Sequence, residues 1–345
     1  MNYGRLLLGA ACGATAVVAW RAAQRRWRRI DWPGRVVMIT GGSRGLGLVL
    51  ARQLVDAGAH VAICARNDEE LSRAASELQA RGGRVLAMVC DVTEQAQIDA
   101  FVQATYDRFG RIDVLINNAG IIQVGPVHEM WLSDFEEAMN INFWGPLRMT
   151  RAVAPGMQQQ GGGRIVNIVS IGGKISLPHL LPYSTSKFAF LGLSAGLRSE
   201  LAPSNILVTT ICPHLMRTGS HHHALFKGQQ RAEFAWFSLG ASLPLVSLSA
   251  ERAAATILNA AAHGDAEVTL SLQAKVLSRL YALFPNLSAS VMTGVNRCLP
   301  SAPARPSGTR LGRDSHSWAS PSWLTSLGDQ AARQNNELSG SLQER

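Results

Sequence analysis

A chain of 345 residues, 47% hydrophobic and 17% charged, can hold one large core or two modest ones, and wholesale disorder is excluded. Its net charge of +9 is local: residues 1–35 hold seven Arg against one Asp, residues 300–345 hold five Arg against four acids, and only +2 remains between. No broad basic face is implied, which argues against nucleic acid as a partner. The five cysteines (Cys12, Cys64, Cys90, Cys212, Cys298) are scattered, with no CxxC. They read as buried free thiols of a reducing compartment, and no metal site is expected.

Leu6 to Trp20 carries no charge, and Arg21, Arg25, Arg26, Arg28 and Arg29 follow at once. Fifteen residues fall short of the ~20 that span a bilayer as a straight helix, a gap that snorkelling arginines and local thinning close at modest cost. A membrane anchor, a cleaved leader and a helix docked on the domain all compete for this segment. The anchor accounts for the apolar run, Trp20, Trp27 and the basic stop together. A leader would begin with more than the lone Arg5. Residues 1–30 are therefore expected to be an anchor segment, with membrane association through residues 6–29. The arginine bias would hold the rest of the chain on the cytoplasmic side.

From Arg35 to about Glu267, short β-branched runs alternate with longer amphipathic stretches. Strands are expected at Val36–Thr40, His60–Ala65, Arg84–Cys90, Val114–Asn117, Arg164–Ser170, Leu207–Cys212 and Glu267–Leu270. Helices are expected at Leu46–Ala57, Asp68–Arg81, Gln95–Phe109 and Phe188–Leu201. Ser133 and Glu136 have the spacing of a capping box. Several strands are apolar on both faces, as in a covered parallel sheet. The fold class is thus α/β: a Rossmann-type, doubly wound parallel sheet of about seven strands in one domain, residues 31–299. Residues 214–248, with Phe226, Phe234, Trp236 and Phe237, read as an apolar lid over a pocket. Ala274–Phe284 is a further amphipathic stretch, and the Ser-, Gly- and Pro-rich residues 300–345 read as a disordered tail.

The first strand runs straight into Gly41, Gly42, Ser43, Arg44, Gly45, Leu46 and Gly47, and a helical pattern follows. Glycines there let backbone approach a pyrophosphate at a helix N-terminus. The spacing is TGxxxGxG rather than GxGxxG. With it, the chain resembles the short-chain dehydrogenase/reductase family over roughly residues 35–270. Asp91, followed by Val92, matches the family's adenine-side acid. Asn117, Asn118, Ala119 and Gly120 match its NNAG, which supports the cofactor pocket. Asn142, Ser170, Tyr183 and Lys187 match its catalytic tetrad, with the usual thirteen residues from Ser to Tyr. Pro213 to Thr218 resembles the loop whose Thr meets the nicotinamide carboxamide, with His214 in place of a glycine.

The resemblance implies a hydride transfer between a nicotinamide cofactor and a small carbonyl or alcohol substrate. Tyr183 and Lys187 are four apart and share one face of a helix. A phenol with a pKa near 10 is a poor acid at neutral pH. An adjacent ammonium and an oxidised nicotinamide are expected to lower it. Ser170 would orient the substrate oxygen, and the resemblance gives Asn142 a water linking Lys187 to solvent. NADP(H) is expected because Ala65 stands where an NAD enzyme would carry Asp, while Arg66 and Arg44 suit a 2′-phosphate. A hydrophobic substrate follows from the apolar lid and the anchor. A 3-oxoacyl thioester reductase is the alternative, with Lys227 and Arg231 as thin support for a carrier's phosphate; a non-catalytic NADP(H)-binding regulator would not need to keep Tyr183. His221, His222 and His223 cannot all face one ion from regular structure, and a homo-oligomer is left open.

Overall fold

The computed structural model describes residues 19–20, 22–243, 247–303, 308–317, 322 and 325–338. Seven strands form one parallel sheet: β1 (Val36–Thr40), β2 (His60–Ala65), β3 (Val85–Val89), β4 (Val114–Asn117), β5 (Gly163–Ile168), β6 (Ile206–Cys212) and β7 (Glu267–Thr269). Their order is β7-β6-β5-β4-β1-β2-β3. The direction of winding reverses between β1 and β4, and in open α/β sheets ligands bind beyond the carboxyl ends of the strands at that switch.

Both faces are covered, as the continuous apolar runs predict. On β1, Val37 and Ile39 join a core with α1 (Gly45–Asp56), α2 (Asp68–Ala80) and α8 (Ala250–His263). Met38, pointing the other way, joins a core with α3 (Gln95–Phe109) and α5 (Gly145–Gln159). Between these in the chain lie α4 (Leu132–Met139), α6 (Leu181–Leu201) and α7 (Gln230–Ser242). The expected boundaries shift at several ends. α6 begins at Leu181, not Phe188, with Pro182 in its first turn, where a missing N–H costs nothing. Ser133 lies inside α4. Asp134 is the residue that reaches back, accepting the Trp131 N–H at 2.7 Å. Cys64, Cys90 and Cys212 are buried free thiols, but Cys298 is exposed.

The stretch expected to be a disordered tail is ordered wherever it is described. Arg310–Leu311 pairs antiparallel with Leu225–Phe226, and α11 (Ser326–Gln334) packs on α7. The following Asn335, Asn336 and Glu337 lie on the glycine turn after β1. The lid is likewise packed: Phe226 and Phe234 are fully buried. Beyond β7, α9 (Leu272–Leu283) and α10 (Pro285–Cys298) leave Leu272, Leu277, Leu283 and Leu287 exposed. Among the described residues no helix is long and apolar enough to cross a membrane, and the transmembrane reading gains no support. Its apolar run, up to residue 18, lies outside the described residues.

Candidate active site

The glycine turn is built by close approach. Gly41 and Gly45 take positive φ of 66° and 54°, where a side chain is strained. A Cβ on Gly47 would overlap the Gly41 carbonyl oxygen, so only glycine lets α1 start this near the end of β1. Asn118 clamps β4 to this turn: its Nδ2 donates to the Thr40 and Gly41 carbonyls, both at 3.0 Å. The Thr40 hydroxyl in turn accepts the Asn118 and Ala119 N–H groups, each at 3.0 Å. Asn117 turns inward, donating to Asn167 at 2.9 Å; Asn167 donates to Ser194 at 2.9 Å, and a buried polar ladder thus ties β4, β5 and α6 together.

Tyr183 and Lys187 project from the first turns of α6 toward the end of β5. The Lys187 Nζ donates to the Ile168 carbonyl at 3.1 Å and lies 5.8 Å from the centre of the Tyr183 ring. Ser170 sits on the turn after β5, its hydroxyl accepting the Gly172 N–H at 2.9 Å. A Cβ on Gly172 would come within 3.0 Å of the Tyr183 ring, so this glycine keeps room for the tyrosine beside Ser170. Asn142 is wholly buried in a single π-turn, Asn140–Trp144, an irregularity common at functional sites. Its carboxamide accepts the Ile121 N–H at 3.0 Å and donates to the Ile121 carbonyl at 3.1 Å and the Ser186 hydroxyl at 3.0 Å. The side chain is thereby committed. Pro146, four residues on, has no N–H to offer the Asn142 carbonyl.

Burial raises the Tyr183 phenol above its usual range, with the Ser170 hydrogen bond opposing. Burial also lowers Lys187, to about 7. The depression of Tyr183 expected from the spacing is therefore not supplied by the protein's own groups.

One cavity of about 540 Å³ joins these parts. At one end lie Gly41, Arg44, Gly45, Leu46 and Arg66, with Thr218 beside Gly45; Asn118, Ala119, Gly120, Ser170, Tyr183, Lys187 and Pro213 line the rest. Five expected residues do not line it. Asn142 and Gly47 act from behind, as above. Ser43 is buried, its hydroxyl 3.5 Å from Glu70. Val92 is buried beneath Gly145. Asp91 accepts the N–H and hydroxyl of Thr93 at 2.9 and 2.8 Å, and its other oxygen is 4.0 Å from Arg66. His214 keeps an ordinary φ, so the residue in place of glycine strains nothing. Lys227 is not a surface cation: it is buried, 2.6 Å from Asp134.

A family model described as short chain dehydrogenase matches residues 35–226. The chain belongs to the short-chain dehydrogenase family. It is thus an oxidoreductase of carbonyls or alcohols that works with a nicotinamide cofactor. Over 189 residues it is 40% identical to a putative ketoacyl reductase of the granaticin polyketide synthase from Streptomyces violaceoruber, covering 53% of this chain and 68% of that one. Over 229 residues it is 32% identical to dehydrogenase/reductase SDR family member 4 from Sus scrofa, covering 65% and 80%. Among solved structures it is similar to a variant of actinorhodin polyketide ketoreductase crystallised with NADPH: TM-score 0.62, 30% identity, 68% of this chain and 95% of that one. A short-chain dehydrogenase/reductase from Burkholderia phymatum in complex with NAD shares the fold at TM-score 0.68 and 24% identity, over 75% and 96% of the chains.

Within this short-chain dehydrogenase, the residues sequence reasoning missed come from the C-terminal stretch. The Asn335 carbonyl accepts the Gly45 N–H at 2.9 Å. The Asn336 carboxamide donates to the Ser43 and Glu70 carbonyls at 2.8 and 2.9 Å. Glu337 reaches the cavity, its carboxylate 3.3 Å from Arg44 and 3.4 Å from His223. Burial pushes this carboxyl up to about 7, against the pull of Arg44 and with the help of Glu70. These contacts are polar and cross almost the whole chain, so no local periodicity announces them.

Proposed function

We propose that the protein is an NADP(H)-dependent carbonyl reductase, or secondary-alcohol dehydrogenase, acting on an apolar substrate. The observation that carries this reading is the single cavity with two arginines at its glycine-turn end, Ser170, Tyr183 and Lys187 at its middle, and an apolar wall beyond. That wall includes Ile122, Leu177, Leu180, Leu215, Trp236 and Phe237. A panel of ketones and alcohols of graded hydrophobicity, followed through NADPH absorbance, tests it. Turnover confined to small polar ketones would overturn the substrate class.

The backbone of the glycine turn and the start of α1 suit a pyrophosphate, since a Cβ on Gly41 would press on Ala119. The Asn335 carbonyl on the Gly45 N–H and the Glu337 carboxylate beside Gly45 cover this turn and must give way for the phosphates to reach it. When bound, the nicotinamide supplies or accepts the hydride at the substrate carbon. Ser170 orients the substrate oxygen by hydrogen bonding, and Tyr183 gives or takes its proton. Lys187 lies within reach to return that proton. Asn142 is assigned the holding of a relaying water near Lys187, a role that rests on the family's pattern.

Arg66 stands largely exposed at the cavity edge, while Arg44 is held by Glu70 at 3.5 Å and by Glu337. Arg66 is therefore the freer partner for a 2′-phosphate. Arg66→Asp is expected to turn preference from NADPH toward NADH, read as the ratio of the two kcat/KM values. A wild-type preference for NADH would end the argument.

Glu337 adds a pH term. The groups facing it are Arg44, Glu70 and His223, and burial holds His223 down at about 3, so it is neutral. Below about pH 7 the Glu337 carboxyl is neutral; above it, its charge repels the cofactor's phosphates. NADPH affinity is expected to fall by up to about 10-fold from pH 6 to pH 8, with a proton taken up on binding. Lys187 titrates in the same window, so the contrast with Glu337→Gln isolates this carboxyl. An identical pH profile in the variant would refute the role. The same raised pKa makes folding less favourable as pH climbs from the ordinary carboxyl range to about 7, with no further loss above.

The ketoacyl reductases among the relatives favour a second reading, a 3-oxoacyl thioester as substrate. The buried Lys227 gives no purchase to a carrier's phosphate. A short 3-oxoacyl thioester belongs in the same panel, and preference for it over simple ketones would select this reading.

A further inference from the structure

Next to the active-site cavity the structure brings together three side chains that the reaction does not use. His221 and His222 lie on the single 3-10 turn Ser220–His222, and Asp329 comes from α11, more than a hundred residues later. All three are more than nine-tenths buried, at 2%, 3% and 7% exposure. The His222 Nε2 lies 3.3 Å from the Asp329 Oδ1, the His221 Nε2 lies 3.9 Å from it, and the three ligand atoms all fall within 4.8 Å of one another. Yet among the described residues the His221 Nε2, both nitrogens of His222 and the Asp329 Oδ1 make no hydrogen bond of good geometry, although both Nε2 atoms face Oδ1. Buried polar atoms without partners are rare and cost roughly 1–3 kcal/mol each, so a cluster of four asks for an explanation.

We propose that His221, His222 and Asp329 form a binding site for one divalent transition-metal ion of the zinc type. Ligands about 2.0–2.2 Å from a zinc ion stand roughly 3.3–3.5 Å apart around a tetrahedron, close to the separations of the two imidazoles from the carboxylate. Two imidazoles and a single carboxylate suit zinc or its neighbours rather than magnesium or calcium, which demand more oxygens. The donor set has an outer shell as well. The Thr325 hydroxyl donates to the Asp329 Oδ2 at 2.9 Å, leaving Oδ1 turned toward the histidines. The ring of His316 lies 6.4 Å from that of His222 and borders the remaining side. The rings of these adjacent histidines lie side by side, their centres 4.2 Å apart.

The ion's role is structural. It staples the loop that carries Thr218 and His223 to α11, and α11 delivers Asn335 to Glu337 onto the glycine turn. Metal binding should therefore tighten the cover over the cofactor end of the cavity.

Full-length protein, stripped with chelator and titrated with Zn2+ alone, should take up one equivalent per chain, seen by calorimetry and by elemental analysis after dialysis. Asp329→Asn, which keeps the shape of the side chain, and His222→Ala should each weaken binding by more than the roughly 10–100-fold that loss of an outer-shell partner costs. His263→Ala, a half-buried histidine at the end of α8, should leave it unchanged. In the wild-type protein, Zn2+ should slow hydrogen exchange across residues 326–337, a readout that needs neither a variant nor turnover. Failure to bind Zn2+, equal binding in Asp329→Asn, or exchange unaltered over 326–337 would each overturn the site.

Discussion

Tyr183→Phe is expected to lower turnover by about 10²-fold or more while leaving NADPH affinity nearly unchanged. The ring packs beside Gly172 in a pocket that a phenylalanine fills equally well, so the loss reports the hydroxyl and not the fold. Single-turnover kinetics and fluorescence titration of NADPH separate the two quantities. A Phe variant that turns over at the wild-type rate would falsify Tyr183 as the proton donor. A variant that also loses NADPH would point instead to a collapsed site.

Gly47→Ala should be as damaging by a different route. The added methyl meets backbone, the Gly41 carbonyl, and also the Asn118 carboxamide, neither of which has a flexible end to swing aside. Overpacking of this kind costs roughly 1–3 kcal/mol, occasionally more. It would push α1 away from β1 at the place where a pyrophosphate is to lie. Lowered thermal stability together with loss of detectable NADPH binding is the expected outcome. Full cofactor affinity in the Ala variant would mean that the turn is looser than its geometry states.

The sheet and most of the site were legible from residues alone. The runs VVMIT, HVAICA and VLIN lie at the centre of the sheet, where burial on both faces demands continuous apolar sequence. The glycine turn and the Tyr183–Lys187 spacing were legible because their geometry is local. Ser43 and Val92, read as cofactor-binding, and Asn142, read as holding a water behind Lys187, lie outside the cavity lining, because each is buried and packed or hydrogen-bonded against a neighbour. The largest miss was the C-terminal stretch. α11 has little apolar surface to signal itself, and its hold on the protein is the carboxamide and carboxylate contacts of Asn335, Asn336 and Glu337 with residues near the other end of the chain. The meeting of His221, His222 and Asp329 was invisible for the same reason: nothing in a run of three histidines says what lies opposite.

The cover over the glycine turn has a consequence for how the protein is made. Arg44 and Glu337 are 293 residues apart. At roughly 5–20 residues per second, a ribosome that has finished the glycine turn needs on the order of 15–60 s more to produce the residue that caps it. β1, α1 and β2 can pair during that interval, since their contacts are close in the chain. The cofactor end of the cavity cannot be sealed until α11 has emerged. A nascent chain is therefore expected to hold an open nucleotide groove for most of its synthesis, and closure to be among the last steps of folding.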